Sequence, residues 1–406
     1  MNNSEIDTNP RRDFLKTAAA AALACTLPGV AYAGAQKQLV YAGGYTSRPD
    51  GSAHGEGIYL FDADPLTGEL TNRRLAARFV NPTWIAIHPT KKYLYASSET
   101  TDASSGSGTI GAFAIDQASG ALTPLNSASS QGAGTAHISL DASGKYLFVA
   151  NYGSGTIAVL EVAADGRLGS VADFKRDSGP AGKQPAASAP RGSFAISGHE
   201  GSRPHMIAAS PDNRFVMATD LGEDRIYAYR FDAATGKLTP AKGSAVTQMP
   251  SGDGPRHFAF HPNGKWFYSL QEEASTLAFF HYDAARGGLA LQQTLSTLPE
   301  GFAGTNYSAE IAISRDGRFI YCTNRLHDTI AIFSIGADGR PARMSEVSTM
   351  GDYPRHCVID PGGRFLYVSN QHSDAITSFR IDRASGQLRF TGHYAAMSAP
   401  AVLAFL

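Results

Sequence analysis

One block of residues recurs along this chain, and this internal repeat limits the possible folds more than any other feature of the sequence. Its clearest copy covers residues 254–289, where three apolar segments and the start of a fourth are separated by Gly-containing turns. The first segment begins at Pro255, and six other positions correspond to it: Pro82, Thr135, Pro204, Ser308, Pro354 and Pro400. These anchors recur about every 50 residues, with one longer interval before Pro204, as in four-stranded propeller blades. Each copy is therefore predicted to fold as one antiparallel sheet.

The last copy is incomplete, because it contains only one apolar segment, at residues 400–406. The N-terminal part of the chain holds matching second, third and fourth segments at residues 39–45, 57–62 and 69–70. The sequence thus predicts an all-β, seven-bladed β-propeller of four-stranded antiparallel blades, with the last blade closed by both termini. Such closure pairs sheet edges that would otherwise be open to aggregation.

The N-terminal residues differ from the repeats and have the parts of a twin-arginine secretion signal. Arg11 and Arg12 precede an Ala-rich apolar run, and an Ala-x-Ala site ends at Ala33. We expect residues 1–33 to be a signal peptide that is removed after export, and residues 34–406 to form a single propeller domain. Recognition by the twin-arginine translocase and a periplasmic location follow from this signal.

Charge and hydropathy exclude two classes of partner. The chain has 35 Lys and Arg against 36 Asp and Glu, so no basic excess attracts nucleic acid. No stretch after residue 33 approaches the roughly 20 apolar residues that span a bilayer, so we expect a soluble protein without membrane contact after cleavage. A faint lipoprotein-like pattern ends at Cys25, and lipidation there is an alternative to simple cleavage.

The cysteines that follow the signal do not suggest a disulfide or a metal site. Cys322 and Cys357 fall on strands of different blades, so we expect free, buried thiols. No Cys/His zinc spacing and no constellation of carboxylates that would oblige a metal occurs. We therefore expect no metal and no cofactor.

Charged residues interrupt the repeat at two places that a propeller brings together. Inner strands gather around the axis of a propeller, where ligands usually bind in a central funnel. Charged or imidazole side chains replace small or apolar ones directly after the anchors and directly after the second segments. They are His137, His205, Arg256, His257, Glu310, Arg355 and His356 near the anchors, and Glu99, Glu272 and Arg325 after the second segments. We expect these side chains to meet in one ring.

Repetition separates structural from functional candidates within this ring. The Arg-His pairs at 256–257 and 355–356 are equivalent, so hydrogen bonds or contacts that bridge blades are an alternative role for them. His205, Glu272 and Arg325 differ from their counterparts in the other blades. Because the packing of the repeat does not account for them, these three are the stronger functional candidates.

Several of these residues stand in motifs that resemble a known family. The motifs are Gly254-Pro255-Arg256-His257, Glu272, Asn324-Arg325, Val149-Ala150-Asn151-Tyr152, Pro204-His205, Asp220-Leu221-Gly222 and Tyr353-Pro354-Arg355. Together they resemble the lactonase family of seven-bladed propellers, which includes bacterial 6-phosphogluconolactonase and the fungal 3-carboxy-cis,cis-muconate lactonising enzyme. The resemblance extends from about Tyr41 to Leu406.

The resemblance implies a site. The implied catalytic residues are His205, Arg256, Glu272 and Arg325. From the ring and the motifs together we also expect contacts to a small-molecule lactone from His137, Asn151, His257, Glu310, Arg355 and His356. The chain departs from the family at Gln271 and Glu273, where Asn and Leu are more usual, and at a Gly-, Pro- and Ser-rich insertion before His205. We expect this insertion, at residues 176–202, to be a loop over one mouth of the channel.

The expected reaction is hydrolysis of a sugar lactone. Arginines can stabilise the negative charge that develops when water attacks the carbonyl, and either Glu272 or His205 can take the proton from water. Export favours an unphosphorylated aldonolactone, such as gluconolactone, over a phosphorylated lactone made in the cytosol. The alternatives are 6-phosphogluconolactonase activity, a lactonising cycloisomerase of the muconate type, and a non-catalytic ligand-binding or scaffold propeller.

Overall fold

A computed structural model describes residues 37–47, 51–100 and 108–406 of the chain. The predicted signal peptide lies outside the described residues. Among the residues that are described, no helix has the length and apolar character needed to cross a membrane.

The described residues form β-strands that follow the repeat closely. The first three are β1 (Gln38–Gly44), β2 (Gly57–Ala63) and β3 (Leu70–Arg78). Blade 1 contains β4 (Pro82–Ile87), β5 (Tyr93–Ser98), β6 (Thr109–Ile115) and β7 (Leu122–Ser129). Blade 2 contains β8 (Thr135–Leu140), β9 (Tyr146–Asn151), β10 (Thr156–Val162) and β11 (Leu168–Lys175), and β12 (Ser193–Phe194) follows in the insertion.

The same order continues through the second half of the chain. Blade 3 contains β13 (Pro204–Ala209), β14 (Phe215–Asp220), β15 (Arg225–Asp232), β16 (Lys237–Pro240) and β17 (Val246–Gln248). Blade 4 contains β18 (Pro255–Phe260), β19 (Trp266–Gln271), β20 (Thr276–Asp283) and β21 (Gly288–Ser296), followed by β22 (Gly304–Thr305). Blade 5 contains β23 (Tyr307–Ile313), β24 (Phe319–Arg325), β25 (Thr329–Ile335) and β26 (Pro341–Ser348). Blade 6 contains β27 (Pro354–Ile359), β28 (Phe365–Asn370), β29 (Ala375–Ile381) and β30 (Leu388–Ala396), and the last strand is β31 (Pro400–Phe405).

Blade 7 is built from both ends of the described chain, as predicted. Its strand order is β3-β2-β1-β31, and the register of the closing pair sets Val40 opposite Phe405 and Gly44 opposite Pro400. The inner strands β31, β4, β8, β13, β18, β23 and β27 contact one another in a closed ring. The prediction of a seven-bladed propeller is therefore confirmed, and the predicted anchors begin the inner strands, except that β23 starts one residue before Ser308.

Tyrosines of the second strands link successive blades through one recurring hydrogen bond. Tyr41 donates its hydroxyl proton to the carbonyl of Gly120 in the turn of the next blade, at 2.7 Å. The same bond joins Tyr95 to Gly166, Tyr268 to Gly339 and Tyr321 to Gly386. These tyrosine side chains are almost completely buried, so the bond satisfies a polar group that would otherwise be costly to bury.

The structure differs from the predicted repeat in blade 3 and in the insertion. The outer part of blade 3 is divided between two short strands, β16 and β17, which both pair with β15. The insertion is mostly irregular, as expected, but β12 pairs in parallel with β22 between blades 4 and 5. Cys322 and Cys357 are buried and free, the first on β24 and the second on β27.

Candidate active site

A β-bulge near the start of each inner strand builds the central funnel. In blade 4 the pairing with β19 passes from Pro255 directly to His257, which leaves Arg256 unpaired. Similar irregularities occur in all seven blades. We call the residues that follow the anchors the bulge layer: Thr83, Ala136, His205, Arg256, Ala309, Arg355 and Ala401. Bulges redirect side chains and are frequent beside active sites.

Six residues of the bulge layer line one small cavity at the centre of the ring of blades. The cavity is narrow and is lined by Thr83, Trp84, Ala136, His205, Arg256, His257, Arg355 and Ala401. Since Thr83, Ala136 and Ala401 are small, the functional groups of its wall come mainly from His205, Arg256 and Arg355. The structure thus brings together two predicted catalytic residues, His205 and Arg256, and two predicted substrate contacts, His257 and Arg355.

Glu272 holds two buried arginines at the side of this cavity. Its Oε2 lies 2.8 Å from Arg256 Nε and 2.8 Å from Arg325 Nη2. Only 2% of Arg256, 4% of Arg325 and 7% of Glu272 is exposed. Burial alone would raise the pKa of Glu272, but the charges of Arg325 and Arg256 outweigh it and lower that pKa. Glu272 is therefore ionised at neutral pH, and the three residues together carry one net positive charge.

Arg256 keeps part of its guanidinium available to the cavity. Its Nη1 donates to the carbonyl of Ala309 at 2.6 Å and lies 3.2 Å from His257 Nε2. Its Nη2 has no partner among the residues that the structure describes. Burial and the charge of Arg325 lower the pKa of Arg256 to about 10, so it stays protonated at neutral pH. Arg256 can therefore donate a charged hydrogen bond to a ligand oxygen.

Arg325 is more fully engaged. Its guanidinium lies over the rings of Tyr307 and Tyr353, at 5.5 and 5.3 Å from their centroids. Its Nε donates to the carbonyl of Tyr307 at 3.2 Å, and its Nη1 lies 3.4 Å from the hydroxyl of Tyr353. Tyr353 has a positive φ of 61°, at an anchor-preceding position where Gly134 and Gly254 stand in other blades. A non-glycine residue held in this conformation is often found near functional sites.

A series of imidazole and carboxylate groups leads from the cavity into the interior. His205 Nδ1 lies 3.1 Å from His257 Nε2, and His257 Nδ1 lies 3.1 Å from both carboxylate oxygens of Glu310. His356 Nε2 lies 3.6 Å from Glu310 Oε2. Burial and the charge of Arg256 lower the pKa of both His205 and His257 well below the usual range, so both rings are neutral. Burial raises the pKa of Glu310.

Trp84 lines the cavity and packs against three of the histidines. Its ring centroid lies 4.3 Å from that of His137, 5.2 Å from His257 and 5.4 Å from His356. Nδ1 of His137 and of His356 has no hydrogen-bond partner among the described residues. His137 and His356, predicted as substrate contacts, thus pack around the tryptophan and are absent from the lining of the cavity.

Arg355 approaches the cavity from the opposite side and has its own carboxylate partner. Its Nη2 lies 3.1 Å from Glu99 Oε2, and its guanidinium lies over the ring of Tyr45 at 5.5 Å from the centroid. The cluster therefore contains three arginines, each of which is paired with a carboxylate.

The structure does not bring Asn151 to the cavity. Asn151 is fully buried and bonds within blade 2, where it accepts from the Thr135 hydroxyl at 2.8 Å and donates to the carbonyl of Ser130 at 2.8 Å. These contacts leave the expectation of a substrate contact without support. The next residue, Tyr152, occupies the repeat position of Glu272 and Arg325, and its ring lies 5.5 Å from that of His205. Sequence reasoning missed Tyr152 by one position, although the repeat alignment contained the signal.

The insertion is tied to the blades that carry the candidate catalytic residues. We call residues 196–199 the strap. The Tyr307 hydroxyl in blade 5 donates to the carbonyl of Ile196 at 2.8 Å, and the Ser197 hydroxyl donates to the carboxylate of Glu273 in blade 4. The strap thus reaches the blades of Glu272 and Arg325, and its position over one mouth of the channel stays a prediction.

Glu273 is a buried acid between the strap and Glu272. His199 of the strap lies with Nδ1 3.5 Å from Glu273 Oε1 and with Nε2 3.4 Å from Asp224 Oδ1 of blade 3. Glu273 is fully buried, and burial and the charge of Glu272 raise its pKa to about 8. Glu273 is therefore mostly protonated at neutral pH. Its carboxyl group links the strap to blade 4, and Glu273 is itself one of the two residues at which the sequence departs from the family pattern.

Comparison with known proteins relates this geometry to one family. Residues 39–405 match the model of the family described as "Lactonase, 7-bladed beta-propeller". Residues 9–28 match the twin-arginine translocation signal sequence, so the chain carries a signal for export to the periplasm. The cleavage site after Ala33 stays a prediction.

Relatives and solved structures of this kind cover nearly the whole chain. The 6-phosphogluconolactonase of Bacillus subtilis is 32% identical over 371 residues, which are 91% of this chain and 99% of that protein. The 6-phosphogluconolactonase of Formosa agariphila is 31% identical and covers 86% of this chain and 94% of its own. The structure of the Pseudomonas aeruginosa periplasmic gluconolactonase has a TM-score of 0.81 and 29% identity, and the match covers 91% of this chain and 99% of that one.

Proposed function

The chain belongs to the lactonase family of seven-bladed β-propellers and is a lactone hydrolase, and from this premise we propose that it hydrolyses an unphosphorylated aldonolactone such as glucono-δ-lactone in the periplasm. The observation that carries the proposal is the cavity wall shared by His205 and Arg256. A neutral imidazole and a guanidinium N–H without a partner among the described residues both line this cavity.

His205 acts as the general base in the proposed mechanism. Its Nε2 has no partner among the described residues, and its lowered pKa keeps it unprotonated at neutral pH. Nε2 takes a proton from water while the water oxygen bonds to the carbonyl carbon of the lactone. When the bond between that carbon and the ring oxygen breaks, the same proton passes to the ring oxygen, which becomes a hydroxyl. The product is an aldonic acid, which ionises in solution. General-base assistance of this kind contributes about 10²–10⁴-fold.

Arg256 stabilises the oxyanion in this mechanism. Its Nη2 donates to the carbonyl oxygen, on which negative charge develops as water attacks. Glu272 fixes the guanidinium through Nε at 2.8 Å, and Arg325 supplies a second positive charge to the same carboxylate. We assign the base to His205 because it lines the cavity and its Nε2 has no partner among the described residues, whereas the Glu272 carboxylate is engaged by two arginines.

Two observations support an unphosphorylated substrate. The export signal separates the protein from phosphorylated sugars made in the cytosol, and a structural neighbour is a periplasmic gluconolactonase.

A pH-stat assay of acid release tests the proposal. The signal-free protein is assayed near pH 6.5 with glucono-δ-lactone and with 6-phosphogluconolactone, after subtraction of spontaneous hydrolysis. We expect kcat/KM to be at least tenfold higher for the unphosphorylated lactone, and His205→Gln to lose most of the activity. A preference for the phosphorylated lactone would overturn the substrate. No rate above buffer with either lactone or with muconolactones would favour the ligand-binding alternative.

A further inference from the structure

The hydrogen-bonding groups behind His205 determine which of its ring nitrogens carries the proton. Arg256 and His205 both contact the same atom, His257 Nε2, at 3.2 and 3.1 Å. A protonated guanidinium only donates hydrogen bonds, so His257 Nε2 is an acceptor and carries no proton. Because His257 is neutral, its proton is on Nδ1.

This assignment determines which of the other ring nitrogens in the series carry a proton. His257 Nδ1 donates to Glu310, whose two carboxylate oxygens both lie 3.1 Å away. Since His257 Nε2 accepts, His205 Nδ1 at 3.1 Å must donate and carries the proton. A neutral His205 therefore has an unprotonated Nε2, which is the nitrogen without a partner among the described residues.

We propose that Glu310 is a positioning residue that acts through His257 to hold His205 in the tautomer whose Nε2 accepts the proton of the attacking water. The proposal rests on the proposed role of His205 as the base. Glu310 was expected from the sequence to contact substrate, but it is not part of the cavity lining and touches His257, His356 and the backbone instead. The backbone N–H of Ile311 donates to Glu310 Oε1 at 3.0 Å and orients the carboxylate.

Glu310 also stabilises the charged intermediate. When His205 Nε2 takes a proton, the imidazolium keeps its Nδ1 proton and its hydrogen bond to His257. The bond from His257 Nδ1 to the Glu310 carboxylate makes His257 Nε2 a better acceptor, because hydrogen bonds in a chain polarise one another. His257 keeps its Nδ1 proton and Glu310 stays a carboxylate in this step. The arrangement corresponds to the carboxylate that orients the base in hydrolytic triads, with one additional imidazole between carboxylate and base.

The first experiment measures the tautomer directly and needs no substrate. Nitrogen-15 NMR of the mature protein at pH 7, with the His205 signals assigned by their absence in His205→Gln, distinguishes protonated from bare ring nitrogens. We expect a protonated Nδ1 and a bare Nε2 in His205. A proton on Nε2 of His205 in the wild-type protein would overturn the proposal, whatever the activity on any lactone.

The second experiment removes the negative charge with Glu310→Gln. We expect kcat to fall about 10²–10³-fold while KM changes less than about threefold, because Glu310 does not touch the substrate. Loss of the carboxylate also lowers the pKa of His205, so the acid limb of kcat/KM should move to lower pH. If Glu310 had only a structural role, the maximum of kcat/KM would be lower in the variant, but the acid limb would stay at the same pH. The other charged or titratable groups that face His205 and His257 are unchanged in the variant: Arg256, Glu272, Arg325, Arg355, His137 and His356.

Glu346→Gln is the matched control, because it is the same substitution in the same blade. Glu346 Oε1 lies 3.4 Å from His327 Nε2, and both side chains are about one quarter exposed, outside the cavity. We expect its kcat and pH profile to equal those of the wild type. If Glu310→Gln does not fold, Glu310→Asp replaces it in the experiment. This variant keeps the negative charge, so the acid limb of its kcat/KM profile should stay at the wild-type pH. A folded Glu310→Gln with unchanged kcat and unchanged limb would refute the positioning role, whereas an inactive wild type with the expected tautomer would refute only the proposed function.

Discussion

Arg256 Nε lies 2.8 Å from Glu272 Oε2, although the two residues come from different strands of blade 4. The bulge at Arg256 and the end of β19 at Gln271 bring them to the same side of the funnel. The contact leaves Arg256 Nη2 for the substrate, so each residue has a separate and testable role.

We expect Arg256→Ala to lower kcat for the lactone by about 10²–10³-fold, since one charged oxyanion donor is lost. Arg214→Ala is a suitable control, because Arg214 is exposed, with its guanidinium 3.9 Å from Asp212 and outside the cavity. Steady-state kinetics with both variants would check this. Near wild-type turnover in a folded Arg256→Ala would remove the residue from the mechanism.

Glu272→Gln should destabilise the protein as well as reduce its activity. The substitution leaves two buried guanidinium groups without their shared anion, and breaking a buried ion pair by removing one partner costs about 3–5 kcal/mol. Urea denaturation followed by tryptophan fluorescence measures the free energy of unfolding. Glu200→Gln, which alters an exposed carboxylate on the insertion, should leave it within about 0.5 kcal/mol of wild type.

The pH dependence of stability should reveal Glu273. Its pKa is about 8 in the folded protein and near the usual glutamate value when unfolded, so the folded state binds more protons between these values. The stability that this group contributes is present below about pH 4.5 and is lost as the pH rises through 8. Glu273→Gln cannot ionise, and the free energy of unfolding of the variant should rise relative to wild type from pH 6 to pH 8.5. Parallel pH curves for the two proteins would contradict the assignment.

Deletion of residues 400–406 tests the closure of blade 7. The deletion removes β31, which supplies the backbone partners of β1 and buried side chains such as Val402 and Leu403. Each buried polar group left unsatisfied costs about 1–3 kcal/mol, and several would consume most of a typical stability of about 5–15 kcal/mol. The truncated chain should be insoluble or melt far below the full chain. An unchanged Tm would show that the termini do not share a blade.

Processing after Ala33 is the remaining prediction. Mass spectrometry of the periplasmic protein should give a mature N-terminus at Gly34, and replacement of Arg11 and Arg12 by lysine should retain the precursor in the cytoplasm. A mature chain that begins at Cys25 and carries lipid would instead support the lipoprotein alternative.

The repeat allowed much of this molecule to be predicted. The anchors fixed the inner strands and the shared blade. Interruptions of the repeat identified His205, Glu272 and Arg325, because the packing of an apolar repeat does not account for these polar side chains. Arg256 was assigned a catalytic role by the family resemblance, and all four residues gather around or beside the cavity.

Other parts of the site depend on pairing that the sequence does not express. A bulge is a property of two strands, so the redirected bulge layer was not visible in a single chain. Asn151 is a different case, because the repeat alignment already places Tyr152, the residue after the end of β9, at the position of Glu272 and Arg325. Trp84 was not considered because an apolar residue in an apolar segment attracts no attention. The contacts of the strap were not predictable, since the insertion has no periodicity.

The ring of Trp84 in blade 1 connects three other blades at the axis of the propeller. It packs against His137 of blade 2, His257 of blade 4 and His356 of blade 6. His257 in turn contacts His205, so the position of the proposed base depends on an indole ring that takes no part in proton transfer. A smaller side chain at residue 84 would leave three imidazoles without a common packing partner, and we expect it to disturb catalysis without removing any titratable group.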